Sequence, residues 1–398
     1  MVILLKHIAR ASHIALLGIK QRLFRSLTSV IGTAGVVGVL VSILSIAAGY
    51  EKALSFKGAD DSIIIFRSGA KSELESSFTG DQLDLIRNNE LIATDKQGKK
   101  IFSAESYVIV NIDDKSTAET MNVALRGVQP AGFDIRHQLK LVEGRLFEPG
   151  KAEIIVGKKS QSQFSGLQIG DKKRFSDSEW TVVGIFEANG TVLESELWTD
   201  NLMLQSAYMR ANSAQVVYVK LAEGVKPIDF QNSLNKDPRL NVQVTTEADY
   251  YAEQSAMLNK FVKRLGFGIA ILMAFGAVFA AVNTNFSTVI ARRRELATLE
   301  TLGIKKLAIV VSVVVESTAL TLLGAILGCL LVYFLFDGYT TSTLFFSKNF
   351  SQVVFSFHVS AYALGLASIF ATVIGVAGAL LPAIKLGRTP LVKSLAAV

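Results

Sequence analysis

The sequence predicts an α-helical membrane protein with four transmembrane helices (1+3) and a large α+β extracytoplasmic domain inserted between helices 1 and 2. An apolar segment without a charged side chain covers residues 27–48, and three more apolar segments, of which the second contains Glu316, follow at 265–291, 307–336 and 358–384. At about 1.5 Å per residue, each segment is long enough to cross a bilayer core. Residues 49–264 have the mixed polarity of a water-exposed domain.

A signal peptide is the alternative interpretation of the first apolar segment. Basic residues precede it, and Ala47-Ala48-Gly49 resembles a cleavage site. However, the hydrophobic part of a signal peptide is shorter, and the three later segments already identify a membrane protein. We therefore expect residues 27–48 to form the first transmembrane helix.

Lys and Arg in the short flanking segments predict the orientation. Residues 1–26 carry five basic side chains and no acidic one, the loop 292–306 carries five basic and two acidic side chains, and the tail 385–398 carries three basic side chains. These three segments are expected to face the cytoplasm. Residues 49–264 and the short loop 337–357 then lie outside.

The net charge of +7 and the pI near 9.3 do not indicate nucleic-acid binding. Residues 1–48 and 265–398 each carry +5, whereas residues 49–264 carry −3. The basic character therefore belongs to the membrane flanks, and no nucleic-acid partner is expected. The single cysteine, Cys329, lies in the third apolar segment, so no disulfide within the chain is expected.

Motifs of common enzyme classes are absent from the sequence. It contains no GxxxxGK[ST], HExxH or GxSxG motif, and its four histidines are scattered without metal-ligand spacing. We therefore predict no catalytic residues and no cofactor or metal bound by this chain. A catalytic set assembled only in the fold is the alternative.

The inserted domain has two predicted parts. Strand, helix and strand patterns at 62–66, 81–87 and 101–110 are repeated at 215–221, 227–234 and 241–246. They predict an α+β subdomain made of residues 49–119 and 211–264. Residues 120–210, rich in strand patterns and glycine, predict an inserted β subdomain. Residues 247–264 have helical composition and run directly into the second span.

Residues 1–26 predict an amphipathic helix at the cytoplasmic membrane interface. Lys6, Arg10, His13 and Lys20 fall along one helical stripe, and apolar residues lie elsewhere on the helix. Such a helix would bind membrane lipids. The alternative is a positive flank that only sets the topology.

Two features inside the spans are candidate sites. Glu316 lies about ten residues into the third span, where a carboxylate is costly, so we expect it to pair with a basic residue near the cytoplasmic face or to take part in ion or proton transfer. Small residues in the first span predict a dimer interface through close helix packing: Thr28, Gly32, Gly35 and Gly38. Ordinary tolerance of glycine in membrane helices is the alternative.

The segment from residue 283 to residue 316 resembles the MacB/FtsX/LolC-LolE family of ABC transporter permeases. In that family an asparagine, an arginine, a glutamate, a glycine and a membrane glutamate occur at the spacing found here: Asn283, Arg292, Glu295, Gly303 and Glu316. Ala291 replaces the usual acid of the family and Leu296 its isoleucine. Weaker similarities lie at 22–49, 126–128, 144–147, Pro382 and 388–390.

The resemblance implies a bacterial inner-membrane permease that works with a second permease, identical or homologous, and with a cytoplasmic ABC ATPase that binds ATP and Mg²⁺. MacB carries its ATPase on the same chain, whereas this sequence begins at the interface helix, so we expect the ATPase on another chain. A periplasmic adaptor and an outer-membrane channel are further implied partners. The residues expected to couple to the ATPase are Arg292, Arg293, Arg294, Glu295, Leu299 and Gly303.

Three functions follow as hypotheses. The first is export or extrusion of a hydrophobic or amphiphilic substrate, such as an antibiotic, peptide, lipid or lipoprotein, by mechanical transmission from the ATPase. The second is regulation of an extracellular cell-wall hydrolase by the same motion. The third is a membrane-anchored ligand sensor without an ATPase. The similarity of the inserted domain to the macrolide-exporter branch favours export.

Overall fold

The computed structural model describes residues 2–17, 23–55, 62–342 and 353–388. They belong to two compact units. The membrane unit comprises Met1–Ala48, Asn259–Tyr339 and Phe357–Val398, and the α+β domain comprises Gly49–Leu258 and Thr340–Ser356.

The described part of the chain contains two short 3-10 helices, Glu73–Glu75 and Val192–Ser195, and eleven α-helices. In chain order they are α1 (Val2–Leu17), α2 (Leu23–Ala53), α3 (Gly80–Arg87), α4 (Ala131–Ile135), α5 (Lys158–Gln163), α6 (Asn201–Ala207), α7 (Pro227–Leu234), α8 (Glu247–Ala291), α9 (Arg293–Thr301), α10 (Lys306–Phe336) and α11 (Ala361–Arg388).

Fourteen strands complete the described elements: β1 (Ser62–Arg67), β2 (Phe78–Thr79), β3 (Phe102–Asp113), β4 (Thr120–Val128), β5 (Lys140–Gly144), β6 (Glu153–Gly157), β7 (Lys172–Phe175), β8 (Ser178–Glu187), β9 (Glu196–Asp200), β10 (Ser213–Ala214), β11 (Val216–Lys220), β12 (Val242–Thr246), β13 (Thr340–Ser342) and β14 (Val354–Ser356).

Four helices of the membrane unit are long and apolar enough to cross a bilayer, in agreement with the predicted one-plus-three arrangement. Their apolar parts are Ser26–Ala53, Lys260–Ala291, Lys306–Phe336 and Ala361–Lys385. The second of them is the continuation of α8, which begins in the α+β domain and includes the helical stretch predicted for residues 247–264. The predicted spans therefore differ from the observed helices mainly at their ends.

Small residues allow α2 and α10 to pack closely. A Cβ atom on Gly324 would lie 2.6 Å from the carbonyl oxygen of Val30, and one on Gly328 would lie 2.6 Å from that of Ala34. Around this contact α2 buries an apolar face against α10 and α11. Because a side chain at either glycine would separate the helix backbones, glycine is needed at both positions.

The α+β domain is built on one ten-stranded sheet with the order β12-β1-β11-β3-β4-β9-β6-β8-β5, and β7 pairs with β8. The β4/β9 and β6/β8 pairs are parallel and the other pairs are antiparallel. Separate apolar cores serve the two ends of the sheet. We call one end of the sheet the β1 half, which contains β12, β1 and β11. The other end is the β8 half, which contains β4, β9, β6, β8, β5 and β7.

Strand β3 is shared by the two halves. Its residues 102–105 pair with β11, and its residues 106–113 pair with β4. The change of partner falls between Glu105 and Ser106, whereas the sequence analysis placed the subdomain boundary near residue 119. The difference arises because β3 is one uninterrupted strand, and an apolar pattern does not indicate which neighbour a strand pairs with.

The six strand and helix patterns predicted at the two ends of the domain agree with β1, α3, β3, β11, α7 and β12. Local signals explain several of their limits. A capping box between Thr79 and Gln82 begins α3, and Pro227 occupies the first turn of α7. The hydroxyl of Thr246 accepts a hydrogen bond from the Asp249 amide at 3.0 Å, which caps the start of α8.

The loop predicted at 337–357 contains a hairpin that belongs to the α+β domain. Its strands β13 and β14 pair with Thr340 opposite Ser356. Residues 343–352, which join the two strands, lie outside the described residues together with Lys20, Arg22 and the tail after Arg388. The polarity of residues 337–357 alone does not indicate that this loop packs against the α+β domain.

Candidate functional site

The predicted coupling loop folds into the short helix α9 followed by a tight turn. Gly303 has a φ of +91° and ends the helix in the left-handed conformation that glycine adopts without strain. Its amide donates to the carbonyl of Glu300 at 3.0 Å, and the Ile304 amide donates to that of Leu299 at 3.1 Å. Gly303 thus closes the helix and directs the chain into α10.

Arg292 lies between α8 and α9 and binds two carboxylates. Its Nη1 donates to Oε2 of Glu316 at 2.6 Å, and its Nη2 donates to Oε1 of Glu295 at 2.9 Å. The Arg292 side chain is only 4% exposed, and that of Glu316 is 10% exposed. Arg292 is therefore the basic residue that lies opposite the intramembrane glutamate.

This burial changes the role assigned to Arg292. The sequence analysis grouped it with residues that contact an ATPase, but a side chain enclosed by Glu316 and Glu295 does not present its charge to a partner. Arg292 instead fixes α9 against α10. Leu299 is also partly enclosed, because it packs against the apolar cluster that contains Leu296 and Ile309.

The exposed side of α9 contains other residues. Arg294 and Thr298 are exposed, and Leu302, immediately before Gly303, is 75% exposed. The side chain of Arg293 lies outside the described set. Leu302 was not among the coupling residues predicted from the sequence, although a leucine beside the helix-ending glycine is a signal for an exposed apolar side chain.

A cavity with a mixed polar and apolar lining lies next to the Arg292–Glu316 pair inside the membrane unit. Hydroxyl and amide side chains line it together with the ion pair: Ser26, Ser29, Thr284, Asn285 and Thr288. Asn285 donates to the hydroxyl of Ser317 at 3.0 Å. Asn283, the asparagine of the family motif, does not line this cavity and is exposed.

The small residues of α2 divide between two faces. Thr28, Gly32 and Gly35 are exposed, and a Cβ on Gly32 or Gly35 would meet open space. Gly38 differs, because a Cβ there would lie 3.8 Å from the Val332 side chain of α10. Gly38 is therefore part of the packing within this chain, and only the other three form an open stripe.

The N-terminal helix α1 presents its basic side chains outward. Lys6, Arg10 and His13 are exposed, as is Leu17, whereas Ala11 and Ala15 are buried. The Nδ1 atom of His7 accepts a 3.4 Å hydrogen bond from the amide of Lys305, the residue before α10. The exposed face therefore combines positive charge with apolar groups.

A second site, which the sequence analysis did not predict, is a buried cluster of charges in the α+β domain. Arg126 of β4 is fully buried, and its guanidinium donates five hydrogen bonds to Glu73, Glu105 and Glu196 at 2.6–3.1 Å. All five donors of the guanidinium are therefore used. The ring of Tyr107 lies 4.8 Å from the same group.

Arg136 forms the other centre of this cluster. It donates to both carboxylate oxygens of Glu105 at 2.8 and 2.9 Å and to Glu247 at 3.2 Å. Its guanidinium carbon lies 3.8 Å from the ring centre of Tyr218. Glu247 is the first residue of α8 and is itself fully buried. The cluster therefore joins the shared strand β3 to the start of the long helix.

Burial and neighbouring charges shift the titration of the cluster. Burial raises the pKa of Glu73 above its ordinary 4.5, Arg126 opposes the rise, and the carboxylates of Glu196 and Glu105 add to it. Burial also disfavours ionised Glu105, but the guanidinium of Arg136, followed by that of Arg126, lowers the pKa of Glu105 overall. The cluster therefore disfavours the charged form of Glu73 and favours that of Glu105.

The comparisons with known proteins agree with this architecture. A family model described as the MacB-like periplasmic core domain matches residues 26–237, and one described as the FtsX-like permease C-terminal region matches residues 267–391. No curated protein sequence gives a significant match.

Two solved structures are similar to part of this chain. The periplasmic region of MacB from Actinobacillus actinomycetemcomitans is 13% identical and aligns over 48% of this chain and 90% of its own, with a TM-score of 0.37. The extracellular domain of the noncanonic ABC-type transporter YknZ from Gram-positive bacteria is 18% identical and aligns over 46% of this chain and 100% of its own, with a TM-score of 0.35.

The two family models together cover the first span, most of the α+β domain and the three later spans. No cluster of three or more His, Cys, Asp or Glu side chains suited to a metal occurs among the described residues. The chain belongs to the MacB/FtsX-like family of ABC transporter permeases.

Proposed function

We propose that this permease transmits ATP-driven movement of a cytoplasmic ABC ATPase, bound at α9, through α8 to an extracytoplasmic α+β domain. The movement would export or extrude a hydrophobic or amphiphilic substrate, such as an antibiotic, peptide, lipid or lipoprotein. The basic flanks of the spans support an orientation with α9 in the cytoplasm and the α+β domain outside, because cytoplasmic loops are enriched in Lys and Arg.

The observation that carries this proposal is the continuity of α8 and the fixation of both its ends. Its 45 residues correspond to a length of about 67 Å. Glu247 at its start is held by Arg136 and by the hydroxyl of Ser62, and Arg292 just beyond its end is held by Glu316. A displacement applied beside Arg292 would therefore move the start of the helix as well.

The shape of α9 supports an ATPase contact. Leu302 projects into solvent at the end of the helix, where burial in a groove of a partner would stabilise the complex by about 1.5–3 kcal/mol. Arg294 and Thr298 provide polar contacts on the same short element. In this arrangement Arg292 and Glu295 anchor α9 within the permease, and Leu302 replaces Leu299 as the apolar contact.

The interior of the membrane unit favours mechanical transmission over conduction of a solute. Apart from the buried hydroxyls of Thr33 and Ser45, the central buried face of α2 is apolar, and it packs against apolar residues of α10 and α11: Ala325, Val332, Ala363, Ala367 and Ala371. A hydrated pore requires polar lining groups along its length. The substrate would therefore be moved by the α+β domain rather than through these four helices.

A second permease copy or homologue would complete the transporter. The exposed stripe of Thr28, Gly32 and Gly35 on α2 supports this arrangement, because its glycines leave space for a neighbouring helix backbone. A periplasmic adaptor and an outer-membrane channel are proposed partners on the strength of the family resemblance.

The ATPase contact can be tested after mild-detergent purification of the permease and identification of co-purifying proteins by mass spectrometry. With the ATPase reconstituted, Leu302→Ala should raise about tenfold the permease concentration that half-maximally stimulates ATP hydrolysis, which corresponds to about 1.4 kcal/mol. Leu202→Ala is the matched control, because Leu202 is 70% exposed but lies in the α+β domain. Unchanged stimulation by Leu302→Ala would contradict the docking site.

The orientation can be tested with single cysteines, because the chain has only one natural cysteine. In a Cys329→Ser background, Leu302→Cys should react with an impermeant maleimide only from the cytoplasmic side, and Lys151→Cys only from the outer side. Both positions are exposed. Labelling of both from the same side would refute the topology.

A further inference from the structure

The hairpin between α10 and α11 is built into the β8 half of the α+β domain. Val354 of β14 is fully buried and belongs to the apolar core that also contains Phe164, Trp180 and Leu197. Phe355, the next residue, is 4% exposed. A segment that connects two membrane helices thus contributes side chains to the interior of the α+β domain.

Specific polar contacts hold β14 in place. The Val354 amide donates to the hydroxyl of Ser195 at 2.9 Å, and that hydroxyl lies 3.4 Å from the Val354 carbonyl oxygen. Ser195 is 1% exposed and ends the short 3-10 helix Val192–Ser195 that leads into β9. One buried hydroxyl therefore satisfies both backbone groups of Val354.

The same strand contacts the chain where α2 enters the α+β domain. The rings of Tyr50 and Phe355 are 5.7 Å apart in an edge-to-face arrangement. A Cβ atom on Gly49 would collide with the carbonyl oxygen of Ser356, so the two backbones touch. β14 is thus enclosed between Ser195 and the end of α2.

We propose that β14 is a second mechanical connection, which couples the α10–α11 pair to the β8 half through Val354 and Ser195 while α8 drives the β1 half. This inference rests on the proposed function, because it assumes nucleotide-driven movement of the spans. Only residues 337–339 and 357–360 separate the hairpin from α10 and α11. The connection is therefore short.

The two connections reach different parts of the sheet. α8 follows directly after β12, which pairs with β1. β14 contacts the 3-10 helix before β9, and β9 pairs with β4 and β6. Since β3 is the strand that the two halves share, unequal movement of α8 and of the α10–α11 pair would shear the halves at the junction between Glu105 and Ser106.

Distances between two spin labels, measured by double electron–electron resonance on the permease reconstituted with the ATPase, test this connection. Spin labels at Asp177→Cys in the β8 half and Lys236→Cys in the β1 half, in a Cys329→Ser background, report the separation of the halves. We expect the distance distribution to change between the nucleotide-free and the ATP–vanadate-trapped complex. In the double variant Ser195→Ala with Val354→Ala this change should fall at least twofold, while ATPase stimulation persists.

Val110→Ala is the matched control, because Val110 lies in the same apolar core but in β3, whose hydrogen-bonded neighbours are β11 and β4. It should retain the full distance change. Ser195→Ala alone, which removes only a hydroxyl, is used if the double variant does not fold, and tryptophan fluorescence checks folding because both tryptophans lie in the α+β domain.

An undiminished distance change in the Ser195 and Val354 variants would overturn the connection, as would an equal loss in Val110→Ala. Absence of any change in the otherwise unsubstituted labelled protein would also overturn it. If the labelled protein shows no distance change but still stimulates the ATPase, the proposed ATPase contact at α9 survives and only the β14 connection fails. If stimulation is lost as well, both the ATPase contact and the β14 connection fail.

Discussion

Replacing Arg126 by alanine should strongly destabilise the α+β domain. The substitution removes five hydrogen bonds and leaves the carboxylates of Glu73 and Glu196 without their guanidinium partner, while Glu105 keeps Arg136. Removing one partner of a buried ion pair costs about 3–5 kcal/mol, because the remaining charge stays desolvated. Proton uptake by Glu73 would reduce this cost, so we expect a loss near 3 kcal/mol at neutral pH.

The two tryptophans provide a selective assay. Trp180 and Trp198 are the only tryptophans of the chain, and both are fully buried in the α+β domain. Their fluorescence during urea unfolding of the full-length protein in detergent therefore follows this domain without a signal from the spans. A loss of 3 kcal/mol is a large part of the 5–15 kcal/mol that stabilises a typical domain. The urea midpoint should fall accordingly.

Arg145→Ala is the control for the Arg126 experiment. The Arg145 side chain is 49% exposed and pairs with Glu153 at 2.6 Å, so water can replace its contacts. We expect a much smaller change in the urea midpoint. Equal effects of Arg126→Ala and Arg145→Ala would refute the argument that burial makes the Arg126 cluster energetically important.

Three further predictions concern titration, helix packing and α9. The pKa of Glu73 is raised in the folded state, so its contribution to the free energy of unfolding is complete below pH 4.5 and is lost as the pH rises through the raised pKa. Glu73→Gln should abolish this decrease in the free energy of unfolding, measured by urea unfolding at a series of pH values. Gly328→Ala should lower the thermal midpoint of helix unfolding measured by circular dichroism, because its Cβ would meet the Ala34 backbone, whereas Gly365→Ala, with open space around it, should not. Glu316→Gln should weaken ATPase stimulation, because it removes the charge that holds Arg292 against α10, and unchanged stimulation would argue against this anchor.

The sequence predicted the parts of the fold that depend on local pattern. Uninterrupted apolar segments identified four spans, and alternation of polar and apolar residues located the strands and helices at both ends of the α+β domain. Charge and spacing placed Arg292 and Glu316 near the coupling loop. Their pairing could not be derived, because a stripe of residues along one helix does not determine which neighbouring helix it faces.

Long-range pairing explains what the sequence analysis missed. Arg126 was noted only within a family signature, although a charged residue in the apolar strand VALRGV required a buried partner. Those partners come from residues 73, 105 and 196, so only the folded sheet reveals them. The position of Val354 depended equally on a contact 159 residues away along the chain, with Ser195.

The location of the charge cluster suggests why charges rather than apolar side chains occupy it. Each half of the sheet has its own apolar core, and the cluster lies where β3 changes partner, with Glu105 bound by both Arg126 and Arg136. Apolar contacts are non-directional and tolerate sliding, whereas two guanidiniums bound to shared carboxylates fix both distance and angle. This directional bonding would resist sliding of the two halves, so that only the unequal movement of the spans proposed above would shear them at the junction.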